Sequence, residues 1–284
     1  MRTTIDGVPF ELGEPFDFSF LAQYGRVFQV FDQQDSGNIC FGVDGSRGRL
    51  FIKFAGAPTV RRSCTREEAV CRARESAQVY FDLRHDNLLN LLSCDDVGGG
   101  VALVFPWTDA VCWGKMYPEQ HALFCALPLD EKLAVYDAVL TFHAHVLACG
   151  YVPVDFYDGS VLYDCALKKT LLCDIEFYKK RPYYNSMGRM WGSSRFMSPE
   201  ELTMGMPVDE RTCVYVMGAT AFELFGAGKK TRRPEDWRLS LPLYRAADRA
   251  AQADRAARWP TLAAFMDVWR TACAETITKQ TDFM

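Results

Sequence analysis

The sequence predicts an α+β protein. Strand-forming runs separated by Gly/Asp turns fill roughly the first hundred residues, one capped helix interrupts them, and helical periodicity dominates after about residue 130. The chain has 284 residues, 49% hydrophobic and 24% charged. Those proportions exclude disordered, collagen-like and coiled-coil classes, and the length suffices for one large domain or two lobes.

After a Phe-rich, acidic opening, the alternation over 26–31 and 39–43 reads as two strands. The turn Asp44-Gly45-Ser46-Arg47-Gly48 then returns the chain into a third strand over 50–54, an antiparallel meander with Lys53 amid apolar neighbours. Thr65 has the chemistry of an N-cap for a helix over 66–83, with Glu67 and Glu68 in the first turn where the helix dipole favours acids. Two further strands are expected over 89–94 and 101–105, on either side of the Asp95–Gly100 turn. Apolar spacing predicts a helix over 130–149, ended by Gly150, and others over 209–225 and 261–274. An exposed Ala/Arg-rich helix is expected near 245–258, and loops with brief strands over 152–178.

A formal net charge of −4 gives no general attraction for phosphate backbones or anionic lipid. The 11 cysteines include no Cys-x-x-Cys pair and no Cys/His cluster at ligand spacing, so neither zinc nor a disulfide framework is expected. The opening Met-Arg-Thr-Thr-Ile-Asp has no apolar run behind its charge, and Val214–Phe225 is short and carries Glu223. The expectation is a cytoplasmic protein with no nucleic-acid partner, no membrane span and no appended regulatory domain or tail.

Two aspartates, Asp155 and Asp174, each follow an apolar strand-like run, a placement that lets a loop aim a carboxylate into a cleft. Phosphoryl transfer needs one carboxylate to orient a hydroxyl, another to hold Mg²⁺ and a lysine for the phosphates, for which Lys53 is available. Taken singly, each has a plainer reading. Lys53 suits an exposed edge strand, Asp155, Asp174 and Asp158-Gly159 suit turns, and His143, His145, Trp107 and Trp113 suit packing.

In company, and in order along the chain, these residues resemble the protein kinase superfamily. Phe51-Ile52-Lys53 is similar to the third-strand lysine motif, Leu83-Arg84-His85-Asp86-Asn87-Leu88-Leu89 to the link after the small-lobe helix, and Leu103 to Trp107 to the hinge. Gly150 to Asp155 resembles the entry to the catalytic loop. Gly192-Ser193-Ser194-Arg195-Phe196-Met197-Ser198-Pro199-Glu200 resembles the end of an activation segment, and residues 254–261 the segment whose arginine, here Arg258, pairs with Glu200. The resemblance implies a bilobal fold, with a small antiparallel-sheet lobe bearing one helix over 1–107 and a larger helical lobe over 108–284.

It also implies site roles. Asp155 and Lys53 are the catalytic pair. ATP is held by Lys53, tethered by Glu75 or Glu68, by Ser36-Gly37-Asn38 in the 32–38 loop and by Phe105 and Trp107 at the hinge. Mg²⁺ falls to Asp174, Ser160 and Glu176. Some positions depart from the pattern. Pro153 and Val154 replace the usual His-Arg, which removes the arginine clamp for a phosphorylated segment and argues against phosphorylation at Ser193 or Ser194. Tyr157 replaces a lysine, Ser160 an asparagine and Cys213 an aspartate, while Asp174-Ile175-Glu176 is similar to the metal motif of choline kinases and aminoglycoside phosphotransferases. The implied activity is ATP·Mg²⁺-dependent transfer to a hydroxyl, as a serine/threonine protein kinase, with a small-molecule kinase and a nucleotide-binding pseudokinase as alternatives.

Overall fold

The computed structural model describes residues 1–33, 36–61, 64–226 and 232–281, with the backbone alone over 276–281. They divide into two compact units, Met1–Asp109 and Ala110–Met284, and the secondary structure is mixed, with antiparallel sheets and six α-helices among the described residues. No described helix is long and apolar enough to cross a membrane.

In the first unit, β1 (Arg2–Ile5) and β2 (Val8–Glu11) form a hairpin turned at Asp6-Gly7. Both turn residues have positive φ, 49° and 88°, as a tight hairpin turn requires. Strands β3 (Arg26–Phe31), β4 (Asn38–Gly45) and β5 (Gly48–Ala55), helix α1 (Arg66–Asp82), and strands β6 (Ser93–Val97) and β7 (Gly100–Pro106) follow. The five strands make one antiparallel sheet in the order β3-β4-β5-β7-β6.

Alternation fixes which side each residue takes. Ile39, Phe41, Ile52, Phe54, Ala102 and Val104 share a buried face covered by Phe10, Phe18 and Leu21, so the Phe-rich opening is a layer of core. Phe18 meets Phe41 edge-on with centroids 5.2 Å apart, and Phe20 lies 4.7 Å from Phe54. The opposite face carries Lys53, Phe51 and Phe105, and there Tyr80 of α1 packs edge-on to Phe105 at 5.0 Å.

The strand expected over 89–94 instead runs Ser93–Val97. Gly98 and Gly99 have φ of 57° and 70°, which makes a two-residue turn, so the ladder must continue to Val97↔Gly100 and carries Asp95 and Asp96 with it. Both are matched, Asp95 by the Tyr24 hydroxyl at 2.6 Å and Asp96 by Arg74 at 2.6 Å.

The second unit comprises β8 (Val111–Cys112), α2 (Pro118–Cys125), α3 (Leu129–Ala148), β9 (Tyr151–Val152), β10 (Val161–Asp164), β11 (Lys169–Leu172), β12 (Lys179–Lys180), β13 (Tyr183–Tyr184), β14 (Pro207–Val208), α4 (Glu210–Phe225), α5 (Leu241–Ala250) and α6 (Leu262–Thr281). Helix α4 is its axis and is buried over most of its length. The Tyr136 hydroxyl of α3 donates to the Met217 carbonyl at 2.7 Å, and the Tyr136 ring also meets Trp269 of α6 at 4.8 Å. Gly218 lets α5 approach, since a Cβ there would lie 2.7 Å from that of Ala250.

The helix expected near 245–258 ends at Ala250. Residues 251–258 turn instead, and the turn delivers Arg255 and Arg258 to Glu200. Arg258 donates through both terminal nitrogens to the Glu200 carboxylate at 2.6 and 2.9 Å, with both residues 1% exposed. The pairing inferred from the sequence is therefore present, and Arg255 and the Thr212 hydroxyl add contacts at 2.8 and 2.9 Å. Burial alone pushes the Glu200 carboxyl up, but the Arg258 guanidinium together with the backbone and Thr212 hydrogen bonds holds the group below the ordinary glutamate range.

Removing one partner strands the other charge without water. Glu200→Ala or Arg258→Ala is expected to lower the stability of the second unit by about 3–5 kcal/mol, read from urea denaturation followed by tryptophan fluorescence. A loss under about 1 kcal/mol would show that this pair is no more than a surface-type contact.

Candidate functional site

In the second unit the two candidate aspartates share an unusual backbone. Asp155, past the end of β9, has φ 62°, and Asp174, past the end of β11, has φ 59°. Only four described non-glycine residues have positive φ, the others being Asp6 and Lys168 in turns. Left-handed backbone is uncommon for residues other than glycine, and where a fold maintains it the strain marks a functional position more often than chance.

The β10–β11 hairpin explains how residues apart in sequence meet. Val161 pairs with Leu172, so Ser160 and Cys173 flank the open end, where the Cys173 amide donates to the Ser160 carbonyl at 3.0 Å. The loop of Asp155 and the loop of Asp174 are thereby tied together. Tyr157 completes the link, its hydroxyl donating to Asp174 Oδ2 at 3.1 Å. Burial first, and then the nearby Asp174 charge, hold the Tyr157 phenol far above its ordinary pKa, so it stays a donor. The third stretch at this place is the 192–200 segment. Gly192 has φ 137°, and a Cβ there would lie 3.5 Å from Asp155 Oδ1.

Mg²⁺ takes oxygen ligands, and the oxygen groups expected from the sequence to hold it are the carboxylates of Asp174 and Glu176 and the hydroxyl of Ser160. Ser160 is 1% exposed and its Oγ has no hydrogen-bond partner. A buried orphan hydroxyl beside a carboxylate loop fits an oxygen-seeking cation. No group of three or more His, Cys, Asp or Glu that could hold a metal occurs among the described residues, so Asp174 and Glu176 do not form such a group with a third acid. Glu176 is buried.

Asp158 differs from its reading as a turn residue. It begins the short 3-10 turn 158–160, yet its carboxylate is 2% exposed and accepts from Arg195 at 2.8 Å through both oxygens. Nothing in the sequence around Asp158 signals burial, because Asp-Gly is the commonest kind of exposed turn.

His143 is a core residue, as its place on α3 suggests. Its ring nitrogens face the Val139 carbonyl and the Tyr178 hydroxyl, each at 2.8 Å, and its ring lies 4.5 Å from that of Phe156, next to Asp155. A carbonyl only accepts, so Nδ1 carries the proton and Nε2 accepts from Tyr178. Burial pushes the imidazole down to about 4.

In the first unit, Lys53 lies on β5 opposite Cys40 and Leu103, on the sheet face that α1 covers. Neither glutamate expected to tether it is on the inward side of that helix. Ala69, Ala73, Ser76 and Tyr80 form the buried stripe, and Glu75, one residue from Ser76, is turned about 100° away and exposed. Its carboxylate takes a contact from Cys71 at 3.6 Å. Glu68 serves the helix cap instead, accepting from the Thr65 amide at 2.8 Å while its own amide donates to Thr65 Oγ at 3.1 Å. Both glutamates are exposed and turned away from the sheet face that carries Lys53.

Of the expected phosphate loop, Gln34 and Asp35 lie outside the described residues. Ser36 accepts from the Cys64 thiol at 3.4 Å through its carbonyl, Gly37 has φ 81°, and Asn38 opens β4 with Oδ1 buried and unpartnered. Phe105 is buried, and the Trp107 amide donates to the Arg49 carbonyl at 3.0 Å. The Trp107 ring belongs to a cluster that the sequence reading missed. Phe28 lies 4.8 Å and Phe31 6.3 Å from it, Phe51 is 5.9 Å from Phe31, and the Arg49 guanidinium covers Phe28 at 4.4 Å. Gly42 makes room, since a Cβ there would lie 2.6 Å from Phe28. The alternation of Phe28, Gly42, Phe51 and Trp107 across paired strands was the available signal. Trp113, by contrast, is plain packing against Phe124 at 5.6 Å.

No protein-family model matches the chain, and no curated protein matches it either.

A neutral buried histidine has a pH signature. Its folded pKa lies below the unfolded value of about 6.5, so its contribution is complete above that pH, is lost as pH falls towards 4, and stays lost below it. Buried Glu201, pushed up to about 7, has the opposite slope over part of the range, so a variant is needed to separate them. His143→Phe with Tyr178→Phe keeps the rings and removes the titration. Relative to wild type, it is expected to gain about 3 kcal/mol between pH 7 and pH 4 in urea unfolding; a difference that does not change with pH would refute a neutral buried His143.

Proposed function

We propose that the chain is an ATP·Mg²⁺-dependent phosphotransferase of protein-kinase-like fold that acts on serine or threonine hydroxyls of proteins. The observation that carries this reading is the pair of left-handed aspartates, Asp155 and Asp174, tied through Ser160–Cys173 and Tyr157. Asp155 orients the acceptor hydroxyl and takes its proton. Asp174, with Ser160 and Glu176, supplies the oxygen ligands for Mg²⁺, which when bound neutralises charge on the phosphate oxygens. Lys53 is the cation for the α- and β-phosphates. The half-buried rings of Phe28, Phe51 and Trp107, on the same sheet face as Lys53, offer a base an apolar surface.

A second reading has its own observation. Helix α1 presents no glutamate on its buried stripe, and that departure from the kinase pattern suits a nucleotide-binding protein that does not transfer phosphate. Measurement of ATP-dependent stabilisation and of γ-phosphate transfer, run side by side, separates the two.

Wild type is expected to show a Tm increase with ATP that requires Mg²⁺ and disappears in Asp174→Asn. Transfer to a serine/threonine protein substrate should fall by about 10²–10⁴-fold in Asp155→Asn and by orders of magnitude in Lys53→Ala, with both variants still folded. Stabilisation without transfer supports the second reading, transfer to an aminoalcohol or sugar hydroxyl alone reassigns the acceptor, and neither stabilisation nor transfer refutes both readings.

A further inference from the structure

One cluster of ion pairs, with a buried carboxylate at Asp158, is unused by the chemistry above. Arg195, on the 192–200 segment, donates through one terminal nitrogen to both Asp158 oxygens at 2.8 Å and through the other to Glu223 of α4 at 2.6 Å. Lys115 reaches the same Glu223 oxygen at 3.1 Å. Asp158 is 2% exposed, Glu223 16% and Arg195 30%, so the two anions are largely out of water while Arg195 is partly exposed and Lys115, at 48%, faces solvent. The Arg195 guanidinium also lies 5.0 Å from the ring of Phe196, which is buried and edge-on to Trp113 at 6.2 Å.

Arg195 thus joins three stretches: the turn just after Asp155, the segment whose Gly192 abuts Asp155, and α4. A planar guanidinium with donors on both sides suits such a bridge, because it can satisfy two carboxylates in different directions. The sequence has no arginine before Asp155 to receive a phosphorylated segment. Here the polarity is reversed, with the cation on the segment and the carboxylates on the loop and α4. A phosphate on Ser193 or Ser194 would add a charge of about −2 beside Asp158 and Glu223 and compete for Arg195.

We infer that Arg195 is a positioning residue that holds the 192–200 segment against the Asp155 loop without phosphorylation, through Asp158 and Glu223. The inference rests on the phosphotransferase reading for its effect on rate, but its effect on order can be measured independently. The test uses the full chain as wild type, phosphatase-treated wild type, Ser193→Ala/Ser194→Ala, Arg195→Gln, Arg195→Lys and Arg195→Gln/Asp158→Asn. Each is scored for chymotryptic cleavage next to Trp191, which is exposed, and for transfer kinetics.

Phosphatase treatment and Ser193→Ala/Ser194→Ala should leave cleavage and transfer unchanged. Arg195→Gln should speed cleavage at least tenfold and lower kcat at least tenfold, with the KM for ATP unchanged. Arg195→Lys should be intermediate, and the double variant no worse than Arg195→Gln alone, since the contacts to Asp158 and Glu223 are lost in both and the orphaned Asp158 carboxylate is removed only in the double. Wild-type resistance to cleavage in Arg195→Gln, or resistance that phosphatase abolishes in the wild type, overturns the inference. If Arg195→Gln does not fold, Arg195→Lys and the double variant decide by the same cleavage assay. Wild type that transfers no phosphate overturns the phosphotransferase reading alone, because the cleavage result stands without it.

Discussion

A carboxylate buried to the extent of Glu200 has to be matched within the protein, and much of the second unit is arranged to match it. Arg258 arrives from the turn that ends α5, Arg255 from the same turn, and Thr212 from the first turn of α4, all on one carboxylate. The Asn185 side chain donates to the Glu200 carbonyl at 3.0 Å, and the Met190 amide to the Glu201 carbonyl at 2.9 Å. The segment from 185 to 201 is therefore folded back on the anchor at its own end. Because the desolvation cost of the ions is recovered only when every contact is made, such an anchor is either complete or strongly unfavourable. That all-or-none character fixes the C-terminal end of the segment, while Arg195 fixes its middle.

The strain at Asp155 and Asp174 depends on the same rigidity. A left-handed aspartate costs about 1 kcal/mol relative to an extended or helical one, and two of them persist because the backbone on each side has no freedom to relax. Val154 and Phe156 are buried on either side of Asp155, Ile175 follows Asp174, and the hairpin bond between Cys173 and Ser160 holds the two loops at one separation. Neutral His143 supports the arrangement from beneath, bridging Phe156 and Tyr178. Burial holds that imidazole neutral against the opposing pull of the Val139 carbonyl, which alone would favour the charged form.

What was legible in the sequence followed from local rules. Thr65 announced α1 and Asp209 lay at the start of α4, because caps are written in neighbouring residues. The meander β3-β4-β5 followed from alternation and a Gly-flanked turn. The Glu200–Arg258 pair, 58 residues apart, was legible only through a resemblance in order of motifs, since no local rule links the two positions. The N-terminal hairpin, α2 and the short strands β12 to β14 were not read: the hairpin is four residues a side, and α2 has no apolar stripe. Helix phase misled at Glu75. The choice of Glu75 or Glu68 could not tell which side of α1 faces the sheet, and one residue of phase puts the Glu75 carboxylate in solvent beside buried Ser76.

That phase bears on chemistry. In the first unit Lys53 is presented by a strand whose neighbours are rings, Phe51, Phe28 and Trp107, and by a helix whose inward side is alanine, serine and tyrosine. A tether from α1 would have to come from a carboxylate at 69, 72, 73 or 76, and those positions hold Ala, Arg, Ala and Ser. The orienting of Lys53 is thus left to groups other than the helix glutamate. In the second unit the β10–β11 hairpin ties the loop that carries Asp155 and Ser160 to the loop that carries Asp174. The left-handed backbones of Asp155 and Asp174 and the unpartnered Ser160 hydroxyl lie on two loops that one hairpin ties together, and that grouping is what the proposed phosphate transfer rests on.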